Sequence, residues 1–458
     1  MEPLRVNPHN PRYFSDGNGK AIYLTGSHTW SSLQDIDTTD PPSAFDYQGY
    51  LDFLKRYQHN FIRLWTWELT TFRYSSDEPL RYASPFPWKR TGPGTALDGK
   101  PKFDLTKFDE EYFDRLRSRT MAAMNRGIYV SIMLFEGHGM FFSEPPWCWE
   151  GHPFHVKNNI NGIDGDPHGE GRGLASHTLR HHSIFKRLIR RLPATAKVQE
   201  EYVKKVIDTV NDLDNVLYEI SNEDHSGSVE WQYHMIDLVH SYEKEKPKQH
   251  PVGMTTHVRM GNDAVFRSRA EWISPTLLSW PGEDDPYKID PPRNDGKKVI
   301  LSDTDHLWGM GGDRKWVWKS FLRGYHTVYM DRIASYENGL ISSDVSNPDA
   351  EDARRAMGHT LIYADKMNLA AMTPRDELSS TTYCLADPGR EYLVYQTESD
   401  TPFHLYLKAG AYRYEWFNPD KGTIVSTGSS IFPQDRSTSF APPFPGDAVL
   451  YVHVPDDR

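Results

Sequence analysis

The chain has 458 residues, with 63 Asp and Glu against 52 Lys and Arg and a net charge of -11 with histidine neutral. At about 100–200 residues per domain this length suggests two or three domains, or one large barrel with an attachment. The acidic balance is the wrong sign for gripping a phosphate backbone, and no apolar run approaches the roughly 20 residues of a membrane span.

Near the N-terminus, Arg12-Tyr13-Phe14 and Ala21-Ile22-Tyr23-Leu24 flank the turn-rich Ser15 to Lys20, the pattern of a β-hairpin. Strand and helix signals then alternate. Ala21 to Thr25 reads as a first barrel strand, Tyr47 to Tyr57 as a helix with Tyr50, Phe53, Leu54 and Tyr57 on one face, and Asn60 to Trp67 as a strand. Phe108 to Asn125 has helical spacing, and Ile128 to Phe135 is apolar enough for a strand buried on both faces. Further on come the helix Val198 to Leu213, the strand Val216 to Ser221, the helix Val229 to Tyr242 and the strand Pro251 to Thr255. Then follow the strands Ala270 to Ile273 and Lys298 to Leu301, the helix Asp313 to Arg323, and the strand His326 to Met330. This order predicts an α/β fold, a (β/α)8 TIM barrel, in which chemistry sits where strands end. A doubly wound sheet is disfavoured, since no Gly-rich phosphate fingerprint follows the first strand.

A helix with Ala353, Met357, Leu361 and Ala364 on one side precedes a change of texture near Thr373. From there Thr381 to Leu385, Glu391 to Tyr395, Phe403 to Leu407, Tyr412 to Phe417 and Val449 to Val454 read as short strands between turns. The expected division is therefore a barrel over residues 1–372 and a small antiparallel β-sandwich over 373–458.

The strand ends supply carboxylates. Asn222-Glu223 follows Val216 to Ser221, so Glu223 is a candidate general acid and Asn222 a candidate partner for a substrate hydroxyl. Asp303 and Asp305 share a parity with Val299 and Leu301, so both can face the barrel axis. Two facing carboxyl groups are what glycoside hydrolysis needs, one protonating the leaving oxygen and the other attacking the anomeric carbon or activating water. Asp-x-Asp-His, ending in His306, also offers ligands for a metal-dependent hydrolase. Arg63 lies among large hydrophobes and must pair with a carboxylate, because an unpaired buried charge is costly.

Three segments, HNFIRLW, YEISNE and KKVILSD, resemble strands two, four and seven of clan A glycoside hydrolases. The resemblance implies a (β/α)8 barrel with Arg63 ending strand two, Asn222 and the acid/base Glu223 ending strand four, and a nucleophile at Asp303. More narrowly, AIYLTGSHTW, FDLTKFDEEYFDRL and AEWISP look like the apiosidase-like (DUF4038-type) branch, whose C-terminal sandwich is named for collagen binding. The resemblance implies an exo-acting glycosidase working on a side chain of a plant or microbial oligo- or polysaccharide. Asp303 departs from the Glu usual in the clan, which leaves the choice between Asp303 and Asp305, and the stereochemical outcome, open.

The segment from Glu136 to about Phe185 far exceeds the common βα loop of roughly 2–6 residues, and long loops at a barrel mouth shape the substrate pocket. Within it His152 and Asn159 are candidate sugar contacts, and Glu136 is a further strand-end carboxylate, as is Glu68. Trp30, Trp67, Trp280 and Trp308 follow strands and offer faces for a sugar ring to stack on, while His28 is placed to donate to a hydroxyl. The expected ligand is a carbohydrate, with no cofactor, no metal, no nucleic acid and no membrane. A carbohydrate-binding protein without activity is the remaining rival. Two cysteines, Cys148 and Cys384, make neither a disulfide framework nor a zinc site alone. Met1 to Asn10 lacks a signal-peptide core, so the chain as it stands reads as cytoplasmic, or as periplasmic or secreted if a leader was removed.

Overall fold

The computed structural model describes residues 2–73, 75–142, 148–179, 192–256, 261–275, 286–331 and 348–455. Eight parallel strands form one sheet: β1 (Gly26–His28), β2 (Phe61–Leu64), β3 (Tyr129–Glu136), β4 (Val216–Asn222), β5 (Val252–Thr255), β6 (Trp272–Ser274), β7 (Val299–Asp303) and β8 (His326–Met330). Neighbours run β1-β8-β7-β6-β5-β4-β3-β2, and a parallel bridge between Thr29 and Leu64 brings the two ends of this order, β1 and β2, together. Helices α1 (Tyr47–Arg56), α2 (Glu110–Met124), α3 (Ala194–Val210), α4 (Val229–Glu243), α5 (Asn262–Arg267), α6 (Arg314–Leu322) and α7 (Pro348–Lys366) intervene along the chain or follow it. This is the (β/α)8 barrel that the alternation of periods implies. All eight residues of β3 are buried, as its unbroken apolar run requires. Among the described residues no helix is long and apolar enough to cross a membrane.

The first barrel strand is not Ala21 to Thr25. Ala21–Ile22 pairs with Phe14–Ser15 and thus with Arg5–Val6 in a separate three-stranded sheet. Its Leu4 and Phe14 pack among Phe61, Tyr129, Leu217, Trp272 and Val299, which begin the barrel strands or lie close to their starts, so this sheet closes the N-terminal end. The barrel strand starts at Gly26, where a Cβ would lie 2.2 Å from the carbonyl oxygen of Phe61. A glycine that reads locally as a turn is thus needed for close approach of two strands.

Two further antiparallel units follow β1 and β2 and had no clear signal in the sequence. One is the sheet of Asp35–Asp37, Thr71–Phe72 and Arg81–Ser84, and the other is the hairpin Trp88–Thr95 with Pro101–Phe108. The hairpin carries the loop after β3. Phe103 exchanges backbone bonds with Asn158 and Ile160, while the side chains of Asn158 and Asn161 accept the amides of Leu97 and Leu105 at 2.9 and 2.7 Å.

From Thr373 the chain forms β9 (Thr373–Pro374), β10 (Cys384–Asp387), β11 (Glu391–Gln396), β12 (Phe403–Leu407), β13 (Gly410–Asn418), β14 (Thr423–Phe432), β15 (Arg436–Phe440) and β16 (Ala448–His453). One sheet has the order β9-β10-β11-β16-β13-β14, and β12 pairs with β15 in the other. Period-two alternation gives the larger sheet two buried faces. Cys384, Ala386, Tyr392 and Val394 pack with Phe403, Leu405 and Leu407 of β12. Leu385, Leu393 and Tyr395 instead join the core of the barrel, where the Trp318 ring stacks on Tyr395 with centroids 6.0 Å apart. Arg314 at the start of α6 forks onto Asp447, which also accepts the Tyr395 hydroxyl at 2.7 Å. The Ser/Thr-rich β14 is an exposed edge strand, which is why its sequence carries no apolar alternation.

Candidate active site

Strands β2, β4 and β7 and the turn after β7 bring four polar side chains around one buried guanidinium. Arg63 donates from Nε and Nη2 to the two oxygens of Glu219 at 2.9 and 2.6 Å. Its Nη1 donates to Asp303 Oδ2 at 3.0 Å and Asp305 Oδ2 at 3.1 Å, and Nη2 also donates to Asn222 Oδ1 at 2.5 Å. Trp65 lies under the cation, its ring centroid 5.2 Å from Cζ. The charge predicted to need a carboxylate therefore has three, and the principal one, Glu219, was not singled out from the sequence. The signal available was its place in VLYEIS, a second charge within an apolar strand run.

Arg63 also settles the orientation of Asn222. A guanidinium only donates, so the atom facing it must be the amide oxygen. His306 reaches the same oxygen through Nε2 at 3.1 Å, while its Nδ1 lies 2.7 Å from Ser274 Oγ. The buried Nδ2 of Asn222 has no protein partner among the described residues, so it is a donor left for a ligand.

Asp303 and Asp305 have different surroundings. Asp303 Oδ1 accepts from His28 Nε2 at 3.0 Å and from the Asp305 amide at 2.9 Å, Oδ2 takes Arg63, and its side chain is 2% exposed. Burial would raise its pKa, but His28 and Arg63 hold it below the ordinary 3.8. The Asp305 side chain is 10% exposed, and desolvation, reinforced by Asp303 and opposed by Arg63, raises it to about 6. Glu223 sits just past β4 in a left-handed turn with φ 45°, its side chain 15% exposed and Oε2 3.7 Å from His138 Nε2. Desolvation, then the charges of Asp305 and Glu136, push it well above the ordinary 4.5, against Arg63. Two carboxyl groups whose surroundings push their pKa values by different amounts can be divided between acid and base.

Behind Glu223 lies a second polar cluster. Asp224 Oδ2 accepts from His177 Nδ1 at 2.7 Å, and His177 Nε2 lies 3.1 Å from Glu68 Oε2. Glu68 also accepts the Glu136 amide at 2.9 Å, and its Oε1 is 3.4 Å from His152 Nε2. Against desolvation, which lowers it, Asp224 and Glu68 raise His177 to about 10, so it is an imidazolium at neutral pH. His152 Nδ1 accepts the Phe154 amide at 2.9 Å, which leaves the proton on Nε2 and removes it as a metal ligand. Among the described residues no group of three or more His, Cys, Asp or Glu is placed to hold a metal ion. At the strand-seven carboxylates, the Arg63 guanidinium stands where a shared cation would have to sit.

A folded-state pKa raised from 6.5 to about 10 gives stability that is complete below pH 6.5 and lost as pH rises through 10. The unfolding free energy of the wild type should therefore fall across that window, by up to about 1.4 kcal/mol per pH unit, relative to His177→Gln. Denaturant titrations of both proteins at pH 6, 8 and 9.5 measure the difference, and parallel curves would contradict the charged state.

The other expected contacts divide by exposure. His152 is fully buried and Asn159 nearly so, with Asn159 Nδ2 donating to the carbonyls of Pro153, His155 and Ile163. Both brace the loop: Asn159 spends its amide on the loop's own backbone, and His152 is enclosed with Nδ1 on the Phe154 amide and Nε2 facing Glu68. Glu136 is also buried, pushed up to about 8 by desolvation, with Gly139 N donating at 3.2 Å. His28 is enclosed between Asp303 and Trp65, so it positions the carboxylate and cannot reach a hydroxyl. Trp67 is buried, stacked on Phe72, and donates from Nε1 to the Trp30 carbonyl. Trp30 and Trp308 remain partly exposed, whereas Trp280 lies outside the described residues. His306 is buried and orients Asn222.

With this geometry in place, the comparisons define the class of fold. Residues 79–273 match DUF6298, a domain of unknown function. No curated protein sequence matches the chain. Among solved structures, the chain is similar to a glycoside hydrolase with TM-score 0.58 and 11% identity, covering 99% of this chain and 97% of that one. It is similar as well to a family 5 glycoside hydrolase from Bacteroides vulgatus ATCC 8482, with TM-score 0.61 and 12% identity over 99% of this chain and 93% of that one. These likenesses extend along almost the whole of each chain.

Proposed function

We propose that the protein is an O-glycoside hydrolase working at the C-terminal face of its barrel, with Glu223 as the acid and Asp305 as the opposing carboxylate. The observation that carries this is the contrast around Arg63. Asp303 is enclosed and engaged on both oxygens, while Asp305 and Glu223 are the open carboxyl groups, the side chains being 10% and 15% exposed. Glu223 gives its proton to the glycosidic oxygen as the bond to the anomeric carbon breaks, and Asp305 attacks that carbon or takes a proton from water. Asn222 Nδ2 donates to a sugar hydroxyl, Trp30 and Trp308 offer ring faces, and Arg63, His28 and Asp303 hold the carboxylates in place. Similarity to glycoside hydrolase structures supports the class of substrate. The apiosidase-like resemblance adds the narrower reading, an exo-acting enzyme removing a terminal side-chain sugar, and residues 373–458 serve as a β-sandwich braced on the barrel.

The test is a screen of aryl glycosides, pentosides and apiosides first, in EDTA, with the product anomer followed by NMR. Asp305→Ala should lower turnover of the hit by about 10²–10⁴-fold. Added azide should restore part of it, because a small anion fits the space of the missing carboxylate. Rescue of Asp303→Ala and not of Asp305→Ala would reverse the assignment, and activity lost in EDTA would replace it with a metal mechanism.

A further inference from the structure

Glu223 occupies a backbone conformation that a residue with a side chain seldom adopts, at φ 45°. Such a turn persists only where its surroundings over-determine it, and the surroundings here converge on the next residue. Asp224 is fully buried. Its Oδ2 takes the Nδ1 proton of His177 at 2.7 Å and the Ser221 hydroxyl at 2.9 Å, and its Oδ1 takes the His225 amide at 2.8 Å. Gly137, just past β3, makes room for it, since a Cβ there would lie 2.7 Å from Asp224 Cα. The Gly137 amide donates to the Asn222 carbonyl at 2.9 Å and ties the two strand ends together.

His177 is the part of this clamp that comes from elsewhere in the chain, the long segment after β3. Its ring stacks on Trp231 with centroids 4.3 Å apart and planes 7° apart, and meets the edge of Phe135 at 5.7 Å. On the other side the Glu68 carboxylate forms an ion pair with His177 Nε2 at 3.1 Å. An imidazolium fixed in an aromatic slot between two carboxylates has no freedom to follow Asp224 if the turn relaxes, so it resists relaxation.

We propose that His177 is a positioning residue for proton donation: through Asp224 it holds the turn that aims Glu223 at the leaving oxygen. This rests on the glycoside hydrolase reading and on Glu223 as its acid. The charge on His177 adds to the case, because a neutral ring would bind Asp224 less firmly.

The consequence is selective. A dinitrophenolate leaves without being protonated, whereas an alkoxide or sugar aglycone does not. A residue that acts only through the acid should therefore matter in proportion to the need for a proton. The experiment compares kcat/KM for the 2,4-dinitrophenyl and methyl glycosides of the sugar found in the screen, in wild type, His177→Gln, Asp224→Asn and Glu223→Ala. In both His177→Gln and Asp224→Asn, the methyl glycoside should lose about 10–100-fold, and the dinitrophenyl glycoside less than about threefold. Asp224→Asn keeps the shape of the side chain and covers the case in which His177→Gln fails to fold. Equal losses on both substrates, or none on either, would overturn the proposal, since a purely structural role makes no distinction between leaving groups. If Glu223→Ala itself showed no leaving-group dependence, the acid assignment would fall and this proposal with it. Dependence in Glu223→Ala without dependence in the other two would overturn this proposal alone.

Discussion

Glu223→Gln should lower kcat/KM for a glycoside with a poor leaving group by about 10²–10⁴-fold while leaving a dinitrophenyl glycoside much less affected. The amide fills the same volume but carries no proton that can be given up, so a loss of this kind reports chemistry and not packing. Desolvation and then the charge of Asp305 push Glu223 well above the ordinary carboxyl range against Arg63, which favours its protonated form. The pH profile of kcat/KM follows from the two open carboxyls. Below about 6 Asp305 takes up a proton and activity falls; at higher pH Glu223 loses its proton and activity falls again. In Glu223→Gln with the dinitrophenyl substrate, the acidic limb should remain and the alkaline limb should disappear. Initial rates from pH 4 to 10 on both substrates check this, and an unchanged alkaline limb would remove Glu223 from the role.

Arg63→Met should destabilise the protein by about 3–5 kcal/mol, the range for breaking a buried ion pair by removing one partner. Glu219 depends on the guanidinium for both oxygens, and Asp303 and Asp305 each lose a donor. Arg63→Lys keeps the charge but not the planar fork, so it should recover only part of the loss. Glu219→Gln in the Arg63→Met background should restore stability by removing the orphaned charge, and the coupling between the two is the measure of the pair. Acid unfolding should also change. The folded pKa of Asp303 is depressed, so its contribution is complete above the ordinary 3.8 and is lost as pH falls. The variant, lacking one of the groups that depress it, should show a shallower acid limb. Denaturant midpoints at pH 3, 5 and 7 measure both effects.

The order of elements was legible in the sequence because each strand and helix reports its own period. Val216 to Ser221 and Ile128 to Phe135 are strands for reasons contained in their own residues. The places where reading failed are those where a local signal meant something remote. Ala21 to Thr25 has the texture of a barrel strand, yet its strand residues, Ala21–Ile22, belong to the sheet that closes the barrel's N-terminal end. The Asn158-Asn159-Ile160-Asn161 run looks like a polar binding loop, yet its amides are consumed by neighbouring backbone. Of the tryptophans singled out for stacking on a sugar, Trp67 fills a core, whereas Trp30 and Trp308 remain partly exposed. Trp231, Trp272, Trp316 and Trp318 are almost wholly buried.

The sequence by itself determined which residues could do chemistry here: Glu223 after a strand, a pair of aspartates after another, and an arginine in apolar company that had to find an acid. These follow from local pattern and from the cost of burying charge, both properties of short segments. Only the tertiary structure decided the division of labour among them. It gave Arg63 to Glu219, enclosed Asp303 with His28, left Asp305 and Glu223 open, and placed His177 behind the turn that carries Glu223. The physical reason is that exposure and electrostatic partnership depend on which strand ends become neighbours. Arg63 and Asp303 stand 240 positions apart in the chain and 3.0 Å apart in the fold, and no periodicity in either segment records the other.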